Sequence, residues 1–364
     1  MAEEIRIKQG DIIKVVEKKP DVKKIYLEVT NRCNLDCTTC IRHSWKNDQG
    51  YMSEQTFANF LEQIDELPQL QTIHFGGFGE PMSHPKILEF LEALKNKGLR
   101  LEMISNGYLL DEKMCKGLAR IGLSRLVISL DGPDEEEYNK IRVGSEFSQV
   151  IQNIETLNRV KQEQKATGLE LGIEFVAMKQ NIHKLPKLLK LADKLRAGFV
   201  IVTNLLPYSE DMVGQELYDG EEDDLMIGPG SSYLLFRAKV PEMKLRTTRK
   251  CDFVDDKTVS ITWEGNVSPC YSAMHHYSCF VYGRKKEVKP HHFGNIDYEA
   301  LKDIWMGDEF LKFRTTVNEF HFPSCTDCKY LDGCSMVDDN QLDCWGNSPT
   351  CADCLWSRKL ILCP

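Results

Sequence analysis

Over the first two hundred positions, short apolar runs are separated by longer stretches in which apolar residues recur every three or four positions. The short runs KIYLEVT (24–30), TIHFGG (72–77), LRLEMIS (99–105), RLVISL (125–130), LELGIEFVAM (169–178) and FVIVTN (199–204) are rich in Val, Ile and Leu. Near-continuous apolar runs of this length predict parallel strands covered on both faces. Between them, Ser53 is placed to cap a helix with Phe57, Phe60, Leu61 and Ile64 on one side, ending before Pro68. Pro85 opens KILEFLEALKNK, and Gly98 stops it. Segments 111–122, 148–164 and 185–198 read as helices in the same way. Six strands with interleaved helices predict a parallel α/β body over 24–204, as either an open sheet or a barrel.

The rhythm stops at about residue 205. Segment 205–250 holds an acidic run at 221–224 and a turn-like IGPGSS, and reads as a linker or lid with a solvated acidic loop. From Cys251 to 364 the chain is cysteine-rich, with a short apolar piece TVSITW (258–263) and one expected helix over 299–316. Residues 1–23 form an N-terminal extension, too short for a separate peptide-binding domain, so a peptide substrate is expected to be recognised elsewhere or through another protein. At ~150 residues per domain, the 364 residues fit this two-domain division.

Composition narrows the function classes. An apolar fraction of 42% and a charged fraction of 28% are ordinary for a globular chain. No run approaches the ~20 apolar residues of a membrane span, and the first twenty residues lack an apolar signal core. A cytoplasmic location without a membrane partner is expected. The net charge of −9, from 46 basic and 55 acidic residues, argues against nucleic acid as the partner. Fourteen cysteines, ten of them from Cys251 onward, change the picture most. In a reducing compartment, dense patterned thiols point to metal rather than disulfides.

The sharpest motif is Cys33-x3-Cys37-x2-Cys40, on a loop directly after the first expected strand. Three thiolates on one loop can each hold one iron of a cubane cluster and leave the fourth iron open to a small molecule. A zinc loop completed by His43 is the alternative. Strand two ends in Gly76-Gly77-Phe78-Gly79-Glu80-Pro81, at the face where parallel α/β folds place their sites. Its glycines allow close approach of backbone to ligand, and its carboxylate can meet an ammonium group.

These residues resemble the radical S-adenosylmethionine (radical SAM) enzymes. The resemblance extends to Ser105-Asn106-Gly107 after strand three and Ser129-Leu130-Asp131-Gly132 after strand four. It implies a partial (β/α)6 TIM barrel, a [4Fe–4S] cluster held by Cys33, Cys37 and Cys40, and SAM contacts from Gly76, Gly77, Gly79, Glu80, Ser105, Asn106, Ser129 and Asp131. It also implies reductive cleavage of SAM to a 5′-deoxyadenosyl radical. One departure is Thr39, where many members carry an aromatic residue.

The C-terminal cysteines could form a zinc ribbon from Cys325-x2-Cys328 and Cys351-x2-Cys354. That would leave six others unexplained, whereas two cubane clusters use about eight thiolates. The region resembles the SPASM extension of radical SAM maturases, which implies two auxiliary [4Fe–4S] clusters. Cys251, Gly265, Cys270, Cys325, Cys328 and Cys334 fit its pattern, but Asp338 stands where the next cysteine is expected. Cys344 is preferred to Asp338, because carboxylate is a harder ligand than such clusters take; the last ligand is Cys351 or Cys354. Cys279 and Cys363 read as spare, Cys115 as core, and the histidines as hydrogen-bonded or surface residues. The tail from Gly333 onward, with NRCNLDCTTCIR, resembles maturases of tungsten-cofactor oxidoreductases. A peptide, protein or cofactor client, such as that of a tungsten oxidoreductase of the aldehyde:ferredoxin type, and a ferredoxin or flavodoxin reductant follow from the resemblance. A non-catalytic zinc or iron–sulfur scaffold, or an electron carrier, is the competing class.

Overall fold

The computed structural model describes residues 3–9, 12–218, 238–242 and 249–363. The acidic run at 221–224 and the IGPGSS turn lie outside the described residues. All six expected strands of the body form: β3 (Lys24–Leu27), β4 (Thr72–Phe75), β5 (Arg100–Ser105), β6 (Arg125–Ser129), β7 (Glu170–Ala177) and β8 (Phe199–Asn204). They pair in chain order and all in parallel, and among the described residues the edges of the sheet do not pair with each other, so the barrel is partial.

Helices cover the outer face: α1 (Glu54–Gln63), α2 (Ile87–Leu94), α3 (Glu112–Ile121), α4 (Glu135–Ile141), α5 (Phe147–Glu163) and α6 (Leu185–Lys194). Ser53 caps α1 through an acceptor bond from Thr56 N at 2.9 Å. Gly122 closes α3 in the left-handed conformation, φ 86°. Helix α4 was not anticipated, since only Asp134 at its cap marks so short an element. Ile25, Ile73, Leu101, Met103, Leu126, Ile128, Ile173, Val200 and Val202 pack beneath the helices in the main core. The alternate positions fall on the concave face. There Tyr26, His74 and Glu102 share one row of the sheet, and Ser129 and Glu174 another.

Three features depart from the expectation. The N-terminal extension is an antiparallel hairpin of β1 (Glu4–Gln9) and β2 (Ile12–Glu17). It docks through salt bridges from Lys14 to Glu319 and from Lys18 to Asp308. The C-terminal region does not fold apart from the barrel. Strand β10 (Thr258–Ile261) pairs in parallel with β3, Thr258 opposite Lys24. Strands β11 (Asn266–Ser268) and β14 (Gly294–Asn295) follow it, and β9 (Ala238–Lys239) joins β8, giving ten strands among the described residues. Val259 and Ile261 are fully buried by this pairing, which an isolated strand could not achieve. Lastly, the helix expected over 299–316 is two, α8 (Leu301–Met306) and α9 (Asp308–Asn318), because Gly307 at φ −55°, ψ 142° leaves the helical region. A further helix α7 (Asp252–Asp255) and the hairpin β12 (Tyr277–Val281)–β13 (Arg284–Val288) complete the C-terminal region.

Candidate active site

The loop after β3 is clamped at both ends. Thr30 Oγ1 donates to the Gly50 carbonyl at 2.6 Å, and the amides of Asp36 and Thr38 donate to the carbonyls of Val143 and Ile141 at 2.9 Å. This presents Cys33, Cys37 and Cys40 at the C-terminal mouth of the barrel. Each sulfur faces an N–H donor: Cys33 Sγ meets Leu35 N at 3.5 Å and Asn106 Nδ2 at 3.7 Å, Cys37 Sγ meets Arg142 Nη1 at 3.9 Å, and Cys40 Sγ meets Arg42 Nε at 3.4 Å. Such donors tune thiolate-ligated clusters. Burial pushes the Cys33 thiol up to about 11 and raises that of Cys37, a cost that a bound cationic centre offsets. His43 Nε2 is already bonded to the Cys37 carbonyl at 3.0 Å, so the nitrogen nearest the loop is occupied.

The glycine loop after β4 lies against this cysteine loop. A Cβ on Gly79 would come within 2.4 Å of the Thr30 carbonyl oxygen, and one on Gly77, at φ +136°, within 2.4 Å of Glu28 Cγ. Glu80 is buried, and its carboxylate is engaged inside the protein. Oε1 accepts from Met82 N and Ser105 Oγ, both at 2.9 Å, and Oε2 accepts from Asn106 N at 2.7 Å. Burial raises its pKa against those three donors. Glu80 thus ties the ends of β4 and β5 together, and Asn106 reaches on to Asn34 Oδ1 at 2.9 Å.

A cavity of about 260 Å³ opens beneath the thiols. Of the residues expected to contact SAM, Gly77, Gly79, Glu80, Ser105, Asn106 and Ser129 line it. Gly76 and Asp131 do not. Asp131 is fully buried behind the wall, accepting from Arg142 Nε at 2.7 Å and from Val176 N at 2.9 Å. It sets the guanidinium that faces Cys37. Sequence reasoning missed Arg142, Glu174, Asn204, Tyr208, Tyr271 and Trp356 in the lining, and took Cys363 there as spare. Period-two alternation within 169–178, where Gly172, Glu174 and Val176 oppose Ile173 and Phe175, was a signal for Glu174. Ser129 Oγ donates to Glu174 Oε2 at 3.1 Å, and burial pushes the Glu174 carboxyl up to about 7.

The C-terminal region seals the opposite wall. Tyr271 Oη donates to the Gly77 carbonyl, and His275 Nε2 pairs with Glu28 Oε2 at 2.6 Å, both side chains being almost fully buried. Glu28 Oε1 accepts from Phe78 N at 3.0 Å. His275, read from sequence as an ordinary histidine, therefore latches the auxiliary region to the glycine loop.

All fourteen cysteines are free of disulfides. Cys251, Cys270, Cys351 and Cys354 line a second cavity of about 90 Å³, together with Cys279. Burial raises the four thiols, Cys270 to about 11. Cys325, with Cys334, packs in a small cluster with Val337 and Ala352, and its thiol lies within electrostatic reach of Cys344 and Cys328. Asp338 is exposed and offers its main-chain carbonyl to Glu287 N at 2.8 Å. Cys115 is fully buried on α3, as core packing requires. Among the described residues no group of three or more His, Cys, Asp or Glu is arranged to hold a single metal ion.

A family model for the Radical SAM superfamily matches residues 27–192, and one for the SPASM iron–sulfur cluster-binding domain matches residues 251–329. A tungsten-containing aldehyde ferredoxin oxidoreductase cofactor-modifying protein of Pyrococcus furiosus is 35% identical over 351 residues, 94% of this chain and 97% of that protein. The chain belongs to the radical SAM superfamily. This radical SAM enzyme is also 26% identical to a PqqA peptide cyclase of Gluconobacter oxydans, over 79% of this chain and 78% of that one. Its fold matches that of Streptococcus suis SuiB, solved with the precursor peptide SuiA, at a TM-score of 0.59 and 15% identity, covering 87% of this chain and 72% of SuiB. The partial barrel with a SPASM domain is the fold expected from sequence, and the two domains imply SAM and [4Fe–4S] clusters as cofactors. The donor set fits them: Cys33, Cys37 and Cys40 border one cavity, and five thiols, Cys279 among them, line the other. Among the described residues no helix is long and apolar enough to cross a membrane.

Proposed function

We propose that this enzyme is a maturase that modifies a protein-bound or free cofactor, of the class found in tungsten-containing aldehyde:ferredoxin-type oxidoreductases. The near full-length similarity to the P. furiosus protein supports the client class. A peptide client is the second reading, supported by the PqqA cyclase similarity. One observation carries the chemistry: Cys33, Cys37 and Cys40, the Gly77–Glu80 turn, Ser105, Asn106 and Ser129 all border a single cavity. A non-catalytic scaffold or electron carrier would have no use for a cavity lined in this way.

Cys33, Cys37 and Cys40 hold the SAM-binding cluster. When bound, cluster and SAM supply a 5′-deoxyadenosyl radical by one-electron cleavage. The chain's own residues orient and exclude water. Glu80 fixes the glycine turn and the Asn106 amide, and Asp131 acts through Arg142. Cys251, Cys270, Cys351 and Cys354 hold one auxiliary cluster, and Cys325, Cys328, Cys334 and Cys344 a second. Electrons come from a ferredoxin or flavodoxin in the cytoplasm. Anaerobic reconstitution tests this reading: about twelve irons per chain are expected, with 5′-deoxyadenosine formed from SAM on reduction. Cys37→Ala should lose SAM cleavage and about four irons while keeping the rest. Cleavage surviving in Cys37→Ala refutes the assignment.

A further inference from the structure

The last described residues form a strap across the mouth of the barrel. Asn204 Nδ2 donates to the Leu360 carbonyl at 2.9 Å, and Leu362 N donates to Thr203 Oγ1 at 2.9 Å, which pins the strap to the end of β8. Lys239 Nζ donates to the Cys363 carbonyl at 3.3 Å. The strap delivers Cys363 into the cavity that Cys33, Cys37 and Cys40 border. This thiol is surplus to the ligands, since each auxiliary set reaches four without it. It receives Trp356 Nε1–H at 3.1 Å and lies within electrostatic reach of both Glu174, in the SAM cavity, and Cys270, in the auxiliary cavity.

Two further facts mark a site for a bound molecule. Asn204 lines the same cavity and is 2% exposed, yet its Oδ1 has no donor among the described residues. Glu174 holds a protonatable carboxyl in the same chamber. Burial also pushes the Cys363 thiol up to about 12, so that it stays S–H at neutral pH. An S–H bond is weaker than an alkyl C–H bond, so hydrogen transfer from a neutral thiol to an alkyl carbon radical runs downhill.

We propose that Cys363 is the hydrogen-atom donor of this cavity. Its S–H bond breaks homolytically, the hydrogen atom forms a C–H bond on a carbon-centred radical, and a thiyl radical remains. One electron from the low-potential iron–sulfur or flavin protein that drives the reaction, and one proton relayed through Glu174, restore the thiol. The balance is one electron and one proton per hydrogen atom delivered. This rests on the SAM-cleaving reading of the same site.

The test needs no client. The reconstituted enzyme is turned over with SAM and dithionite in deuterated buffer, where the exchangeable thiol becomes S–D, and 5′-deoxyadenosine is examined by mass spectrometry. The label per product molecule is the readout, not the rate. Wild type should place one deuterium in most of the product. Cys363→Ser, which keeps the side-chain volume but offers only a strong O–H bond, and Cys363→Ala should lower the label severalfold. Cys115→Ala, a core thiol remote from the cavity, should leave it unchanged. Unlabelled product from wild type overturns the proposal. So does equal labelling in the Cys363 variants, which would assign donation to another exchangeable group such as the Tyr208 or Tyr271 phenol. Absence of 5′-deoxyadenosine altogether instead refutes the SAM-cleaving reading, and the proposal with it.

Discussion

Asp131→Asn separates a ligand contact from a positioning role. Asp131 is fully buried, and its two oxygens serve Arg142 Nε at 2.7 Å and Val176 N at 2.9 Å. Asparagine offers one oxygen and one N–H2 group, so either Arg142 or Val176 is left facing a donor, at about 1–3 kcal/mol. Removing one partner of a buried ion pair costs about 3–5 kcal/mol. The Arg142 side chain is 13% exposed, so some water reaches it. We therefore take the low end, about 3 kcal/mol in all, which for a chain of this length corresponds to a melting temperature lower by roughly 4 °C. The assay pairs anaerobic calorimetry of the reconstituted protein with SAM binding. The expected result is a clear loss of thermal stability with SAM affinity weakened by less than roughly tenfold. An unchanged melting temperature with SAM binding largely lost would refute the reasoning and make Asp131 a direct contact. In the double variant with Arg142→Met, the two losses should be strongly non-additive.

Three further outcomes are expected. Burial lifts the Glu174 carboxyl from an ordinary 4.5 to about 7, so between these values the folded chain keeps a proton that the unfolded chain has released. Stability should therefore fall as pH rises through that window, by up to ~3 kcal/mol, and level off above it; the wild-type-minus-Glu174→Gln difference in thermal melts read against pH should show this slope. Cys344→Ala should lower reconstituted iron by about four per chain, whereas Asp338→Ala should leave it unchanged; the reverse result would make the carboxylate the ligand. In Gly79→Ala the new Cβ would meet the backbone oxygens of Thr30 and Arg32 at 2.4 and 2.5 Å. Displacing that loop should weaken SAM binding by roughly tenfold or more, measured by equilibrium binding, with auxiliary iron intact.

What was readable in the chain follows the range of the interactions. The strands from Lys24 to Asn204 are short apolar runs and the helices carry local caps such as Ser53, so neighbours in sequence suffice to specify them. Cys33, Cys37 and Cys40 sit on one loop, and their spacing alone brings all three to the border of one cavity. The hairpin at Glu4–Glu17 and the break at Gly307 did carry local signals, a Gly-Asp pair between two alternating runs and a glycine inside a helical pattern, that the periodicity of the rest of the chain overshadowed.

Long-range assembly decided the rest. Strand β10 joins β3 across more than two hundred residues, which makes the C-terminal region a continuation of the barrel sheet. Asp131 looked from sequence like a ligand group, but in the fold it lies behind the cavity wall and holds Arg142, whereas Glu80 lines the cavity and also holds the Asn106 amide. Glu174 and Cys363 lie far apart in sequence and reach the same cavity only because β7 faces the barrel interior and the strap closes over its mouth. The sequence by itself determined the donor chemistry, because ligand type and local spacing are covalent facts. The tertiary structure alone decided which polar side chains face the chamber, because facing is set by sheet register and burial between segments distant along the chain.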